Sequence, residues 1–377
     1  MKSFIDAASK SRAWPDCRSV SPIVVAWLVA SMVLCAGCET RRVDPGRQNG
    51  QGQPVLHFGI ASTESTPGLR RGFDPLLDDM AKSLGMEVKA FFAPDYAGIV
   101  EGMRFGKVDV ARLGNKAAVE ACDRAGAEVF AQTTDAYGLA GYWSVIIVHQ
   151  DSPYQTIEDL VAAGKQLSFG NGDPNSTSGY LIPNHFLWVP RKLDPQAVFK
   201  RVVTANHEAH SIAVANKQLD AATNNTENLT VLKNTRPELA EKLRVIWKSP
   251  LIALDPLIWR KDLPDDLKER VKKFVLSYGR EGPDAARQRQ VLANITSGWA
   301  PFRQSSDEQL LPFREMLVAQ RLKELEERAE SSPESLARRQ TLQAELERLR
   351  VAVAAAESKR AAAAEESADQ AGSETAP

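Results

Sequence analysis

The sequence predicts an α/β fold of two lobes, each a mostly parallel sheet flanked by helices, followed by a helical tail. Three observations lead to it. Short apolar runs alternate with amphipathic stretches of helical period, the pattern of strands covered by helices on both faces. That alternation runs once from residue 55 and starts again near residue 156, which suggests two units. From residue 325 the composition turns to Ala, Glu, Arg and Gln.

In chain order, residues 55–60 form a compact apolar strand. Phe73, Leu76, Leu77, Met80 and Leu84 recur at helical spacing, so 73–84 is a helix. Strands follow over 88–92, 108–113 and 129–130, with helices over 96–105 and 116–124 between them. The run 142–148 is a strong buried strand. The second series has a helix near Thr156, strands at 167–169, 201–204 and 219–222, and helices over 180–188 and 212–217. Strands at 243–247 and 257–259 complete it. The expected lobes are residues 54–150 with 251–324, and residues 151–250.

The ends of the chain differ from this body. Lys2, Lys10, Arg12 and Arg18 precede an apolar stretch, 22–34, too short for a comfortable membrane span of about 20 residues. It ends Leu34-Cys-Ala-Gly-Cys38, similar to a bacterial lipobox, so residues 1–37 read as a lipoprotein signal peptide and Cys38 as the lipidated residue. A plain cleaved signal is the alternative. Polar, Gly-rich residues 38–53 read as a flexible tether between anchor and body. In the tail, Leu342, Leu346, Leu349 and Val353 make a short heptad seam, a surface for weak self-association through 336–356. With fewer than three heptads, a solvated helix is the simpler expectation, capped by Ser332 ahead of Pro333 and passing into disorder after Ala361.

Composition narrows the function. A net charge of −1 leaves no electrostatic footprint for nucleic acid. Of four cysteines only Cys122 falls in the body, so neither a disulfide framework nor a zinc spacing is available, and no metal or cofactor is expected. There is no Gly-x-Ser-x-Gly elbow for an exported hydrolase.

The most informative segment is 169–180, Phe-Gly-Asn-Gly-Asp-Pro-Asn-Ser-Thr-Ser-Gly-Tyr. It reads as a strand, a tight loop and a helix start carrying Ser176, Thr177 and Ser178. Backbone N–H groups and uncharged hydroxyls together seat a tetrahedral oxyanion, or the hydroxyls are only a helix cap. Other candidate loops also follow strands: Ser62-Thr-Glu64 and Asn206-His-Glu208. Ligand sites of α/β folds lie at such ends.

Taken with Gly59-Ile-Ala-Ser-Thr-Glu64, Phe91-Phe-Ala-Pro-Asp-Tyr96, Val214-Ala-Asn-Lys-Gln218, Thr223-Asn-Asn-Thr-Glu-Asn228 and Trp247-Lys-Ser-Pro-Leu-Ile252, this segment resembles the phosphonate-binding proteins of bacterial ABC transporters over about residues 54–322. The resemblance implies a two-lobed type II periplasmic-binding-protein fold that captures phosphonates, 2-aminoethylphosphonate or other alkylphosphonates, and delivers them to a membrane permease with its ATPase. It implies a phosphonate group held by Ser176, Thr177, Ser178, Tyr96 and His207, with Tyr142 as a further contact and Glu227 and Asp255 taking a ligand ammonium. From the residues alone, Tyr96 also reads as a core aromatic, His207 as a cap, Glu227 as a helix N-terminal carboxylate and Asp255 as a turn former. His57, His149, His185 and His210 read as structural or solvated. One departure stands out: Arg112-Leu113 precedes Gly114-Asn115 where the family has an aromatic pair. Arg112 either adds charge near the cleft mouth or faces solvent. A ligand-sensing lipoprotein signalling through a receptor is the alternative function, kept open by the extra tail.

Overall fold

The computed structural model describes residues 54–328 and 332–373. The signal segment, Cys38 and the tether lie outside the described residues.

Thirteen strands form three sheets among the described residues: β1 Val55–Ala61, β2 Glu87–Ala93, β3 Val110–Arg112, β4 Ala127–Asp135, β5 Gly141–Tyr142, β6 Ser144–His149, β7 Ser168–Asn171, β8 Arg201–Thr204, β9 Ala221–Asn225, β10 Leu243–Lys248, β11 Ile252–Ala253, β12 Pro256–Arg260 and β13 Trp299–Gln304. The first sheet has the order β13-β4-β12-β3-β1-β2, the second β10-β6-β9-β7-β8, and β5 pairs with β11. In the first, β1, β2, β3 and β4 share one direction while β12 and β13 oppose them. In the second, only β6 runs against the rest. The sheets are therefore mixed. β6 and β12 are the first strands after each crossing between lobes, and they enter from the opposite side.

Both faces of each sheet are packed, as the continuous apolar strands require. Leu56, Phe58 and Ile60 of β1 join Phe73, Leu76 and Met80 of the helix Thr66–Leu84. That helix starts seven residues, nearly two turns, before the expected position, since Pro67 suits its first turn and Leu69 extends the apolar stripe. In the second lobe alternation sorts β6: Ile146 and Val148 pack with Leu160, Phe169 and Trp188, while Val145 and Ile147 pack with Val214 and Leu219.

The boundary expected at residue 150 falls one strand late, because β6 belongs to the second sheet. The run 142–148 is two strands: Tyr142 pairs with Ile252 across the hinge, and the chain joins the second sheet at Ser144. Both crossings thus meet in one small antiparallel ribbon. Gly141 is required there, because a Cβ would fall onto the Ile252 carbonyl oxygen.

The helix expected over 180–188 is wound mostly in wide turns, Thr177–Leu181 and Asn184–Trp188, with i to i+5 bonds such as Val189 N–H to the Asn184 carbonyl at 2.9 Å. Pro183 lies between the two and has no N–H to give an ordinary ladder.

The tail is a long helix, Pro333–Ser373, capped by Ser332, whose hydroxyl accepts from Ser335 N–H at 3.2 Å. It continues past Ala361, where composition suggested disorder. It folds back on the helix Leu311–Glu327: Leu342, Leu346 and Leu349 cover Val318, Ala319 and Leu322. An Arg350–Glu315 ion pair at 3.5 Å flanks the contact. The seam expected to serve self-association is thereby occupied within its own chain, because a two-helix hairpin brings a partner at far higher effective concentration than a second molecule.

Candidate functional site

The site lies between the two large sheets, at the carboxyl ends of β1, β2, β3, β7, β8 and β9. Opposed β12 brings its start to the same edge, so Asp255, just before Pro256, faces the end of β3. The cavity, about 30 Å³ in volume, is lined by Thr63, Glu64, Tyr96, Arg112, Gly114, Tyr142, Thr177, Ser178, His207, Asn225, Glu227, Asn228, Asp255 and Thr296. A neighbouring hollow shares Tyr96 and His207 and adds Ser176. Seven of the eight residues expected in the site therefore line one cavity, and Ser176 lines the hollow beside it.

The loop after β7 is closed on itself. Gly172 N–H donates to the Gly179 carbonyl at 3.1 Å, and a Cβ at Gly172 would overlap the Gly179 backbone. Ser176, Thr177 and Ser178 are all buried. Each hydroxyl accepts an N–H: Ser176 from Gly179 N–H at 2.9 Å, Thr177 from Lys116 N–H at 2.9 Å, Ser178 from the Asn225 amide at 3.1 Å. A hydroxyl with its acceptor side engaged turns its own proton elsewhere. Ser176 thus caps the helix and also hydrogen-bonds Tyr96, so the cap reading and the anion reading are compatible.

Tyr96 opens the helix Tyr96–Arg104, with Asp95 as cap accepting from Gly98 N–H at 2.8 Å. His207 opens the helix His207–Ala215, capped by Asn206. His207 Nε2 lies 3.4 Å from the Ser178 hydroxyl, and Nδ1 has no hydrogen-bond partner among the described residues. Burial, then His210 and Arg112, pushes the His207 imidazole down to about 3, so it is neutral near pH 7. His210, read from sequence as structural or solvated, is fully buried, with Nδ1 3.1 Å from the Thr223 carbonyl.

The other end of the cavity is acidic around one cation. Arg112, the last residue of β3, is buried. Its Nη2 is 2.8 Å from Asp255 Oδ2 and 3.9 Å from Glu227 Oε2. The Tyr142 hydroxyl donates to Asp255 Oδ1 at 3.3 Å. Burial lowers the Arg112 pKa, but Asp255 and Glu227 outweigh it and hold the guanidinium charged. Burial raises both carboxyls, and Arg112 partly offsets this. Glu64 is pushed up to about 7 by burial and by Glu208.

Arg112 is thus neither solvent-facing nor a mouth residue, the two positions its sequence allowed. Charge alternation in a three-residue strand gave no sign of its partners, which lie more than a hundred positions away. Asn225 and Asn228 lay within the string Thr223–Asn228 without being singled out, and Thr296 had no local signature. Thr296 has a positive φ of 48° and a buried hydroxyl without a partner among the described residues. That conformation is costly for a β-branched residue.

Contacts across the cleft hold it closed. Besides Thr177 with Lys116 and Arg112 with Glu227, the Lys116 ammonium reaches the Pro174 carbonyl, and Ser65 N–H donates to Glu208 at 2.5 Å.

Comparison with known proteins agrees with this architecture. A family profile described as "ABC transporter, phosphonate, periplasmic substrate-binding protein" matches residues 58–310. The chain is 49% identical over 298 residues to the phosphonates-binding periplasmic protein of Escherichia coli K12, covering 79% of this chain and 86% of that one. It is 48% identical to a crystal structure of a binding protein component of an ABC phosphonate transporter from Pseudomonas aeruginosa, with a TM-score of 0.76, covering 81% of this chain and 99% of that one. PhnD1 from Prochlorococcus marinus, in complex with methylphosphonate, shares the fold at 22% identity and a TM-score of 0.60, covering 70% of this chain and 96% of that one. A closed two-lobed cleft lined with hydroxyl donors, together with this match over most of its length, makes the chain a member of the periplasmic substrate-binding proteins of phosphonate ABC transporters.

Proposed function

We propose that this substrate-binding component seats the phosphonate group of its ligand among Ser176, Thr177, Ser178, Tyr96 and His207, with the substituent on phosphorus pointing towards Tyr142, Arg112, Glu227 and Asp255. The observation that carries this is the engagement of all three hydroxyls as acceptors beside Tyr96 and His207, which lets their O–H groups turn to an oxyanion. A dianion held by neutral donors and a neutral imidazole is bound through charge-assisted hydrogen bonds without a fixed cation beside it. Such a seat holds strongly and still releases to a permease. Thr177→Ala removes one such bond, worth about 1.5–3 kcal/mol. Calorimetry with methylphosphonate should show about a 10- to 150-fold loss of affinity. An unchanged affinity in both Thr177→Ala and Ser176→Ala would mean that the loop is only a cap.

The protein works in the periplasm, and we read it as tethered to a membrane there through a lipid on Cys38. Ala36-Gly37 before the cysteine and the polar stretch after it support this. Cys38→Ser should leave the protein in the soluble fraction or block its processing. Mass spectrometry finding an unmodified mature N-terminus in the wild type would refute the anchor.

A further inference from the structure

Resting on the seat proposed above, we infer that Arg112 is the resident counter-ion of Glu227 and Asp255, and that the cleft therefore selects phosphonates whose substituent carries no ammonium group. The two carboxylates that would grip an amine already grip a cation. Arg112 Nη2 is 2.8 Å from Asp255 and 3.9 Å from Glu227. An ammonium within hydrogen-bond reach of either carboxylate meets the guanidinium at similar range, and repulsion between like charges is strong in a buried, weakly screened site.

The cation does not easily move aside. Its backbone is pinned in mid-sheet, paired with Ile60 on one side and Leu257 on the other. Its guanidinium carbon lies 5.6 Å from the Trp299 ring centre. Swinging it out would leave two adjacent buried carboxylates unpaired, which is strongly unfavourable.

Two polar atoms at this end have no partner among the described residues: Arg112 Nε and the Thr296 hydroxyl, whose residue also lines the cavity. An N–H donor and a hydroxyl suit an uncharged oxygen on the ligand, and neither requires one. The ligand class is therefore small alkyl- and hydroxyalkylphosphonates.

Calorimetry on the purified full chain tests this with methylphosphonate, 2-hydroxyethylphosphonate and 2-aminoethylphosphonate. The wild type should bind the first two at least tenfold more tightly than the third. In Arg112→Leu the affinity ratio of 2-aminoethylphosphonate to methylphosphonate should shift at least tenfold towards the amine. Arg112→Lys, which keeps the charge, should preserve the wild-type order. A wild type that binds the amine as tightly as methylphosphonate, or an Arg112→Leu variant with an unchanged ratio, overturns the assignment of Arg112 and leaves the hydroxyl seat intact. A wild type that binds none of the three overturns the seat and this inference together. The ranking needs no variant, so poor folding of Arg112→Leu does not blunt the test.

Discussion

Single residues in this cleft set opposing responses to pH. Glu64 has an ordinary value of 4.5 and is pushed up to about 7 in the folded chain by burial and by Glu208, with Arg112 pulling the other way. The folded protein therefore holds an extra proton between those values. The stability this contributes is complete below pH 4.5 and is lost as pH rises through about 7. His207 and His210 act in the other direction: burial lowers them to about 3 and about 4, so their neutral forms lose stability as pH falls below 6.5. Glu64→Gln removes only the first effect. Its melting temperature relative to wild type should rise from pH 5 to about pH 7 and level off above that in ligand-free protein. A constant difference would show that Glu64 is ionised throughout that range. At this scale the sequence was informative where function is local. The string from Asn171 to Ser178 carries its loop, its cap and its donors in one place. The sequence named Arg112 and Asp255 but not their pairing, which depends on a partner far along the chain, and it gave no sign of the backbone strain at Thr296.

The elements tell a similar story. Strands rich in apolar residues, β1 and β6, were readable because burial on both faces leaves a composition signal. β13 was not, since Pro301 and Arg303 interrupt its alternation at the edge of the sheet. The hinge was hidden for a geometric reason: two pairs of residues, Tyr142 with Ile252 and Ala253 with Gly141, form a ribbon too short to leave a period. Gly141 marks it only through the space it lacks. Gly141→Ala should drive a methyl group into the Ile252 carbonyl and force the crossings apart, a loss of about 3 kcal/mol by analogy with overpacked cores. Thermal unfolding of the variant measures this. A melting temperature within a degree of wild type would mean that the ribbon yields at little cost.

On the scale of the whole molecule, the architecture of two lobes and a tail followed from the repeated strand–helix alternation and the composition change at residue 325. The destination of the tail did not. A seam of leucines at heptad spacing announces that it needs a partner and not where the partner is, and the helix Leu311–Glu327 supplies it. A chain ended after Arg328 uncovers Val318 and Leu322. It should bind methylphosphonate within threefold of the full chain, because the hairpin contributes nothing to the cavity lining. It should also melt earlier and elute from a sizing column as a larger species. An unaltered melting temperature and elution would mean that the tail is not needed to cover that face. The small ribbon has a wider meaning still. Tyr142 is both a strand residue of the hinge and, through its hydroxyl, a partner of Asp255 in the cavity. One residue thus belongs both to the ribbon that joins the lobes and to the wall of the site. A substituent that displaces Tyr142 should therefore strain the joint between the lobes directly, with no intermediate relay between the bound molecule and the ribbon.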